Sequence, residues 1–135
     1  MKSLKFVVLG LALGSAVSMA EDCVIPAAPT IPNGEDSSLE QMLAAQKAVK
    51  EFQAANMDYM KCVEPSVVAA ETVAKEAAAK VAEKAAGAED ALKAANADLL
   101  KAQETYNAAV SMEEEVAGKF NTEIRDYKTA NPAPG

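Results

Sequence analysis

The sequence lacks histidine and tryptophan altogether, and only three phenylalanines and three tyrosines occur among its 135 residues. Histidine is the most frequent general base and transition-metal ligand in proteins, so its absence removes the usual form of both chemistries. The sequence also has no glycine-rich phosphate loop and no visible pair of convergent carboxylates. We therefore assign no catalytic, cofactor-binding or metal-binding residue and expect no enzyme. A carboxylate pair assembled across two helices is the alternative.

The first 20 residues have the composition of a secretory signal peptide. Lys2 and Lys5 precede an apolar run that ends at Val17, and the small residues Ser18 and Ala20 occupy the positions that a signal peptidase reads. The run is about a dozen residues long, whereas a membrane-spanning helix needs roughly 20. We predict cleavage after Ala20, export to the periplasm or the exterior, and no stable membrane anchor afterwards. An uncleaved anchor is the alternative.

The chain that remains after cleavage is short and acidic. It has 115 residues, which suffice for one ordinary domain, and the loss of Lys2 and Lys5 lowers the formal net charge from −7 to −9. A surface of this sign repels nucleic acid and anionic lipid. We therefore expect no nucleic-acid partner.

Two cysteines, Cys23 and Cys62, occur in a chain that we expect to reach an oxidising compartment. Two is the smallest even number that can pair, so we predict an intramolecular disulfide; an intermolecular bridge and two free thiols are the alternatives. Closing a loop of about 40 residues stabilises a fold by roughly 4 kcal/mol in the chain-entropy model. Glu21 and Asp22 stand where a lipidation site has small and apolar residues, so we do not expect lipid on Cys23.

The stretch EDCVIPAAPTIPNGEDSS, residues 21–38, is called the proline segment below. Polyproline II has three residues per turn, so Pro26, Pro29 and Pro32 fall on one face of a stiff, extended chain. Its length, up to about 47 Å, suffices to follow the roughly 36 Å of helix that ends at Cys62. We predict that the segment runs back along this helix and is fastened by the disulfide; a PxxP peptide ligand is the alternative. Between segment and helix lie the turn and capping signals Asn33, Gly34, Ser37, Ser38, Glu40 and Gln41.

From Leu39 onward the apolar residues recur at helical spacing. The predicted buried face consists of Met42, Ala45, Val49, Phe52, Asn56, Met60 and Val63, and continues as Val67, Ala70, Ala74, Val81 and Ala85. Asn56 is its polar member, and we interpret it as a residue that fixes the register of a partner helix. Because the apolar phase continues past Pro65, we predict a kink there; a break at residues 63–66 is the alternative.

The second half of the helical region begins in an alanine-rich stretch. Alanine supplies 17 of the 45 residues from 66 to 110, so little apolar area is available there and we expect a thin core. Gly87 is the only glycine between residues 34 and 118 and lies near the midpoint of the helical region, residues 39–128. We therefore predict an all-α fold, a long antiparallel helical hairpin that reverses near Gly87.

Two other arrangements suit the same pattern. Apolar residues keep a seven-residue spacing through the second half, interrupted once by Glu113, which also suits a long coiled-coil dimer. The spacing of Ser111 and Glu114 indicates a second helix start and hence a three-helix bundle. The heptad positions are Leu92, Leu99, Tyr106, Phe120 and Tyr127. Residues 129–135, which contain two prolines and a glycine, are predicted to form a disordered tail.

The acidic run Glu113, Glu114 and Glu115 resembles a metal site only superficially. Three consecutive residues on a helix point in three directions, so one ion cannot easily be held by all of them. We interpret the run as a solvated acidic patch.

Several stretches together resemble a group of small signal-bearing proteins of proteobacteria. They are C-x2-P-x2-P-x2-P-x-G from Cys23, QMLAAQKAVKEFQAANMDYMKC in the first helix, and YNAAV and KFNTEIRDYK near the end. The resemblance covers residues 23–64 and 104–128. It implies a bacterial envelope or periplasmic setting, and it carries no activity and no site residues.

Two functional hypotheses follow from these features. The first is a non-catalytic structural or protein-interaction protein, which binds a protein partner or itself through helix faces. The second is a chaperone-like holdase of the periplasm. The amphipathic pattern favours the first.

Overall fold

A computed structural model describes residues 22–134; the predicted signal peptide, residues 1–20, lies outside this range. Helix α1 spans Leu39–Ala82 and helix α2 spans Ala88–Ala130, and the two pack against each other along their lengths. The predicted all-α helical hairpin is therefore confirmed. The continuous rod and the three-helix bundle are wrong, because the chain reverses between Ala82 and Ala88 and α2 continues through Ser111 without a break.

A capping box starts α1 at Ser38, as predicted. The Ser38 hydroxyl accepts a hydrogen bond from the backbone N–H of Gln41, and the Gln41 side chain accepts one from the backbone N–H of Ser38. Ser37, the other candidate, donates its hydroxyl to the carbonyl of Asn33. The Asn33 side chain accepts from the N–H of Glu35, so the residues before α1 form a hydrogen-bonded turn.

Pro65 lies inside α1, and the helix continues through it. The alternative of a break at residues 63–66 is therefore wrong. Proline has no N–H, so the carbonyl of Lys61 loses its helical donor. Both Pro65 and Lys61 are exposed, which leaves this carbonyl open to water and explains why the helix tolerates the proline.

The reversal at residues 83–87 closes α1 with a Schellman motif. The N–H of Ala85 donates to the carbonyl of Lys80, and the N–H of Lys84 donates to that of Val81. Lys84 occupies the left-handed position, with φ of 56°, where glycine is the usual residue. Gly87, with φ of 74°, precedes α2. The reversal near Gly87 is confirmed, but Ala85, which we expected on the buried face, lies in this exposed connection.

The core changes in character along the hairpin. At the open end, where α1 begins and α2 finishes, large side chains from both helices pack together, whereas near the reversal the buried residues are alanines. The open-end cluster contains Ile31, Met42, Ala45, Val49, Phe52, Val116 and Phe120. A middle cluster contains Tyr59, Val63 and Ala109, and the cluster near the reversal contains Ala74, Ala77 and Ala95. Tyr59 is buried where Met60 was predicted, and Met60 is only partly covered.

The described part of the proline segment lies along the hairpin in an extended conformation. Cys23 is bonded to Cys62, with 5.8 Å between the Cα atoms, so the predicted disulfide is confirmed. Pro26, Pro29 and Pro32 are each partly buried, while the residues between them are exposed, except for the buried Ile31. The three-residue periodicity of polyproline II thus places the prolines on the covered face.

Gly34 brings the end of the proline segment against the backbone of α2. Its N–H donates a hydrogen bond of 2.7 Å to the Glu123 carboxylate. A Cβ at this position would lie 1.9 Å from the Glu123 carbonyl oxygen and 2.8 Å from the Tyr127 nitrogen. Only glycine allows this approach, so Gly34 fixes where the segment crosses from α1 to α2.

Asn56 and Glu113, which interrupt the apolar faces of α1 and α2, contact each other. Asn56 is fully buried, and its Nδ2 donates to the carbonyl of Ala109 at 2.9 Å and to the carboxylate of Glu113 at 3.2 Å. This contact joins the middle of α1 to one particular turn of α2. It is the kind of contact that the interpretation of Asn56 as a register residue requires.

At its far end α2 continues to Ala130, two residues beyond the predicted boundary at Lys128. The N–H of Asn131 donates to the carbonyl of Tyr127 and closes the last turn. Residues 132–134 have no regular structure.

Gly34→Ala is expected to lower the free energy of unfolding by about 1–3 kcal/mol, because the new methyl group overlaps the α2 backbone. Denaturant unfolding of the oxidised protein measures this. The matched control is Gly118→Ala, at an exposed helical glycine where an added Cβ meets nothing within 4 Å. The control should be neutral or stabilising by up to about 1 kcal/mol; equal destabilisation by both would contradict the role given to Gly34.

Lys84→Gly is expected to raise the free energy of unfolding by about 1 kcal/mol, because it removes the Cβ from a left-handed residue. Lys84→Ala is the control, since it removes the charge and keeps the Cβ. Thermal unfolding of both variants separates the backbone effect from the side-chain effect, and a gain in the alanine variant would assign the effect to the side chain.

Asn56→Ala is expected to cost about 1–3 kcal/mol, because it leaves the buried Ala109 carbonyl without its side-chain donor. The exposed Asn121→Ala serves as control and should stay within about 0.5 kcal/mol of the parent. Urea unfolding monitored by circular dichroism measures both. A small effect at Asn56 would show that the contact contributes little to stability.

Candidate functional site

The two long faces of the hairpin are covered unequally. An α-helix turns by about 100° per residue, so relative to the buried Val63 the Cys62 side chain lies about 100° to one side and Val68 about 140° to the other. The proline segment, which begins at Cys62, therefore covers one flank of the buried stripe. The opposite flank, which we call the open face, has no such cover among the described residues.

Apolar side chains of α1 lie in a row on the open face. Leu39 and Met57 are 18 residues apart, which is about five whole turns, and Met57 and Val68 are 11 apart, which is about three. Leu43 lies one turn after Leu39 and within about 40° of the same line. Between 51% and 58% of each of these four residues is exposed. Soluble proteins expose single apolar residues freely, whereas an aligned row along one helix flank is typical of an interaction surface.

A groove of about 570 Å³ opens on this face beside Pro65. Its lining on α1 follows the helical spacing of one stripe, and its lining on α2 does the same. The residues are Glu64, Val67, Val68 and Glu71 on α1, and Gln103, Tyr106 and Asn107 on α2. Leu100, another exposed apolar residue, lies one turn before Gln103 and extends the α2 side.

The position of the groove follows from the change in the core. On one side lies the middle cluster, against which Tyr106 packs, and on the other the alanine cluster begins. Alanine side chains leave the flanks of a helix pair poorly filled, because they extend only one carbon from the backbone. The groove therefore lies where large side chains give way to small ones.

The lining of the groove combines apolar and polar side chains. Its two valines offer apolar surface, while the amides, the phenol and the carboxylates can donate or accept hydrogen bonds. The lining holds two carboxylates and no cationic side chain. Such a surface can hold an apolar side chain of a partner and pair with a nearby cation at its edge.

The three side chains of the acidic run at residues 113–115 point in different directions, as expected on a helix, but the interpretation as a solvated patch holds only for Glu114 and Glu115. The Glu113 carboxylate turns inward to accept from Asn56, while Glu114 and Glu115 are exposed. Among residues 22–134, no group of three or more candidate ligands could hold a metal ion. Within the same range, no helix is long and apolar enough to cross a membrane.

The sequence predicted the disulfide pair Cys23 and Cys62, and the structure brings these two together. The open face was not predicted. Leu39, Leu43, Met57 and Val68 all lie off the arc of residues that was predicted to be buried. The signal that indicates this row is the alignment of the exposed apolar residues on a helical wheel, beside the buried stripe.

The sequence matches no protein-family model, no curated protein and no solved structure. The resemblance to small proteobacterial signal-bearing proteins stays a prediction.

Proposed function

We propose that this protein is a non-catalytic helical protein of the bacterial periplasm that binds a protein partner on its open face. The observation that carries the proposal is the unequal cover of the hairpin. One flank is covered by the proline segment with Ile31 buried, while the other presents aligned apolar residues and a groove. An interface of standard size needs an apolar centre with a polar rim, and the open face provides both.

The periplasmic setting is supported by independent features. The Cys23–Cys62 disulfide is the kind of bond that persists in oxidising compartments. The first 20 residues have the composition of a cleaved export signal. The protein has an acidic net charge, and its open face carries a row of apolar side chains. This combination favours a protein partner over nucleic acid or anionic lipid.

The partner is either another protein or a second copy of this chain. Two open faces related by a two-fold axis would pack four helices together, which is a common way for hairpins to cover an apolar flank. A photocrosslinked adduct distinguishes the two cases, because its mass is twice that of the chain only in the second.

A periplasmic holdase is the second candidate, and the exposure of apolar residues at several points along α1 favours it. Such a protein would bind many unfolded clients instead of one partner. Suppression of aggregation of an unfolded envelope protein at substoichiometric amounts would support this function, and no effect in excess would reject it.

A photoreactive amino acid at Val68 is expected to give a discrete adduct in intact cells, because Val68 lines the groove on the open face. The matched control is Val73, in the same helix and equally exposed, at 54% against 55%, but rotated by about 140°. The Val73 probe should give at least ten-fold less adduct. Equal yields, or no adduct from either probe, would contradict the proposal, and a broad smear of clients would favour the holdase.

The variant Val68→Glu tests the open face with the photoreactive probe at Met57 instead of in the groove. The variant Val73→Glu is its control. The Val68 variant should remove the adduct formed by a probe at Met57, since a charge then replaces apolar surface in the groove. The Val73 variant should keep it. Both should retain their helical circular dichroism, so that loss of the adduct reports binding and not unfolding.

A further inference from the structure

The proline segment is attached to the helices at few points. Its beginning is bonded to Cys62, Ile31 is its one buried side chain between residues 23 and 33, and the N–H of Gly34 donates to Glu123. Within the described chain, residues 24–32 make no hydrogen bonds. Ten residues of extended chain are thus held at one end by Cys23, through the disulfide, its packing on the middle cluster and its other contacts, and at the other end by Ile31 with one hydrogen bond. Between the ends, the segment touches the helices only through the partly buried Pro26, Pro29 and Pro32.

The helices depend much less on the disulfide than the segment does. The α1 capping box, the Asn56 contacts and the packing of Phe52 with Val116 and Phe120 involve only the helices and Ser38. Cys62 bonds to no part of α2, since its partner Cys23 belongs to the segment. Loss of the disulfide therefore removes one attachment of the segment and none between the helices.

The conformational freedom that the segment recovers on release opposes its docking. Each ordered residue loses backbone freedom on folding, and a covalent tether offsets this loss for the whole segment. Without the tether, about ten residues must be held by non-covalent contacts alone, and among their side chains only that of Ile31 is buried. The three prolines reduce the loss, because they stiffen the released chain, but they do not remove it.

The disulfide lies near the surface of the molecule. Cys62 is exposed on α1, while Cys23 is half-buried against the middle cluster. A thiolate of a dithiol can attack the Cys62 sulfur and displace Cys23 as a thiolate, after which the second thiol attacks the mixed disulfide. The dithiol is oxidised to a disulfide, and Cys23 and Cys62 end as two thiols. The exchange needs no rearrangement of the helices.

Release of the segment would open a second apolar surface. Ile31 packs in the cluster that contains Met42, Val49, Phe52, Val116 and Phe120, so its departure exposes the flank of that cluster to water. Release would thus add the large side chains of this cluster to the apolar surface that the oxidised protein already exposes.

We propose that the Cys23–Cys62 disulfide is a redox latch: reduction by a dithiol undocks the proline segment and exposes the open-end cluster, while the helical hairpin stays folded. Oxidation restores the cover. This inference does not depend on the function proposed for the open face, because it concerns the opposite flank and requires no partner.

Hydroxyl-radical footprinting reports the latch at Ile31, because labelling of a side chain by the radical follows its exposure to solvent. In the oxidised protein Ile31 should be protected, since it is buried, while the exposed Val24 and Ile25 are labelled in either state. Reduction with dithiothreitol, removed before labelling, should raise the labelling of Ile31 several-fold, and reoxidation should restore protection. The same reduction should increase the fluorescence of an apolar-surface dye.

The double variant Cys23→Ser, Cys62→Ser is the control. Its Ile31 should be labelled as strongly as in the reduced protein, and prior treatment with dithiothreitol should not change the labelling. Circular dichroism is recorded on each sample. Equal labelling of Ile31 in the oxidised and reduced protein would overturn the proposal, because the segment would then be held without the bond. Loss of helix on reduction would overturn it as well, because the segment would be part of the fold and not a latch.

Discussion

Two helices in contact cannot enclose a core, and the rest of this structure depends on how that limit is met. A pair of helices buries one stripe from each and leaves both flanks of the stripe open to water. Here the proline segment supplies a third wall on one flank, with Ile31 between the large side chains of α1 and α2. The proline segment covers the helices only between its attachment to Cys62 and its contact at Gly34. The large buried side chains lie along this same part of the hairpin. Beyond it the buried residues are alanines, for which the helices alone suffice.

Three contacts determine how these parts are aligned. The disulfide fixes one end of the segment on α1, and Gly34 fixes the other end on α2 through a backbone approach that admits no side chain. Asn56 joins the helices at Ala109 and Glu113, between the two ends of the segment. An apolar stripe with a regular repeat can slide by a heptad at modest cost, whereas a buried amide with specific acceptors cannot. Several alignments of the two helices would bury similar apolar area. The Asn56 contacts and the close approach of Gly34 to α2 select one of them.

Much of the fold could be predicted from the sequence, because its signals are local. The apolar spacing, the Ser38 capping box and the position of Gly87 defined both helices and the reversal. The cysteine pair and the proline spacing predicted the course of the segment.

Contacts that depend on two distant parts of the chain could not be predicted in this way. Asn56 and Glu113 each looked like an isolated interruption, and Gly34 looked like a turn residue and no more. The open face does not follow from the buried pattern, because its apolar residues lie off the buried arc.

The placement of the disulfide divides the molecule mechanically. The covalent loop of residues 23–62 lies in the half that contains the large side chains, and no cross-link reaches the alanine-rich half. Local opening of a protein begins where few apolar contacts resist it. The contacts between α1 and α2 should therefore loosen first among the alanines, where the short connection at residues 83–87 still keeps the helices close together. Separation of the helices at the open end would instead have to expose the phenylalanines and Ile31 from the start.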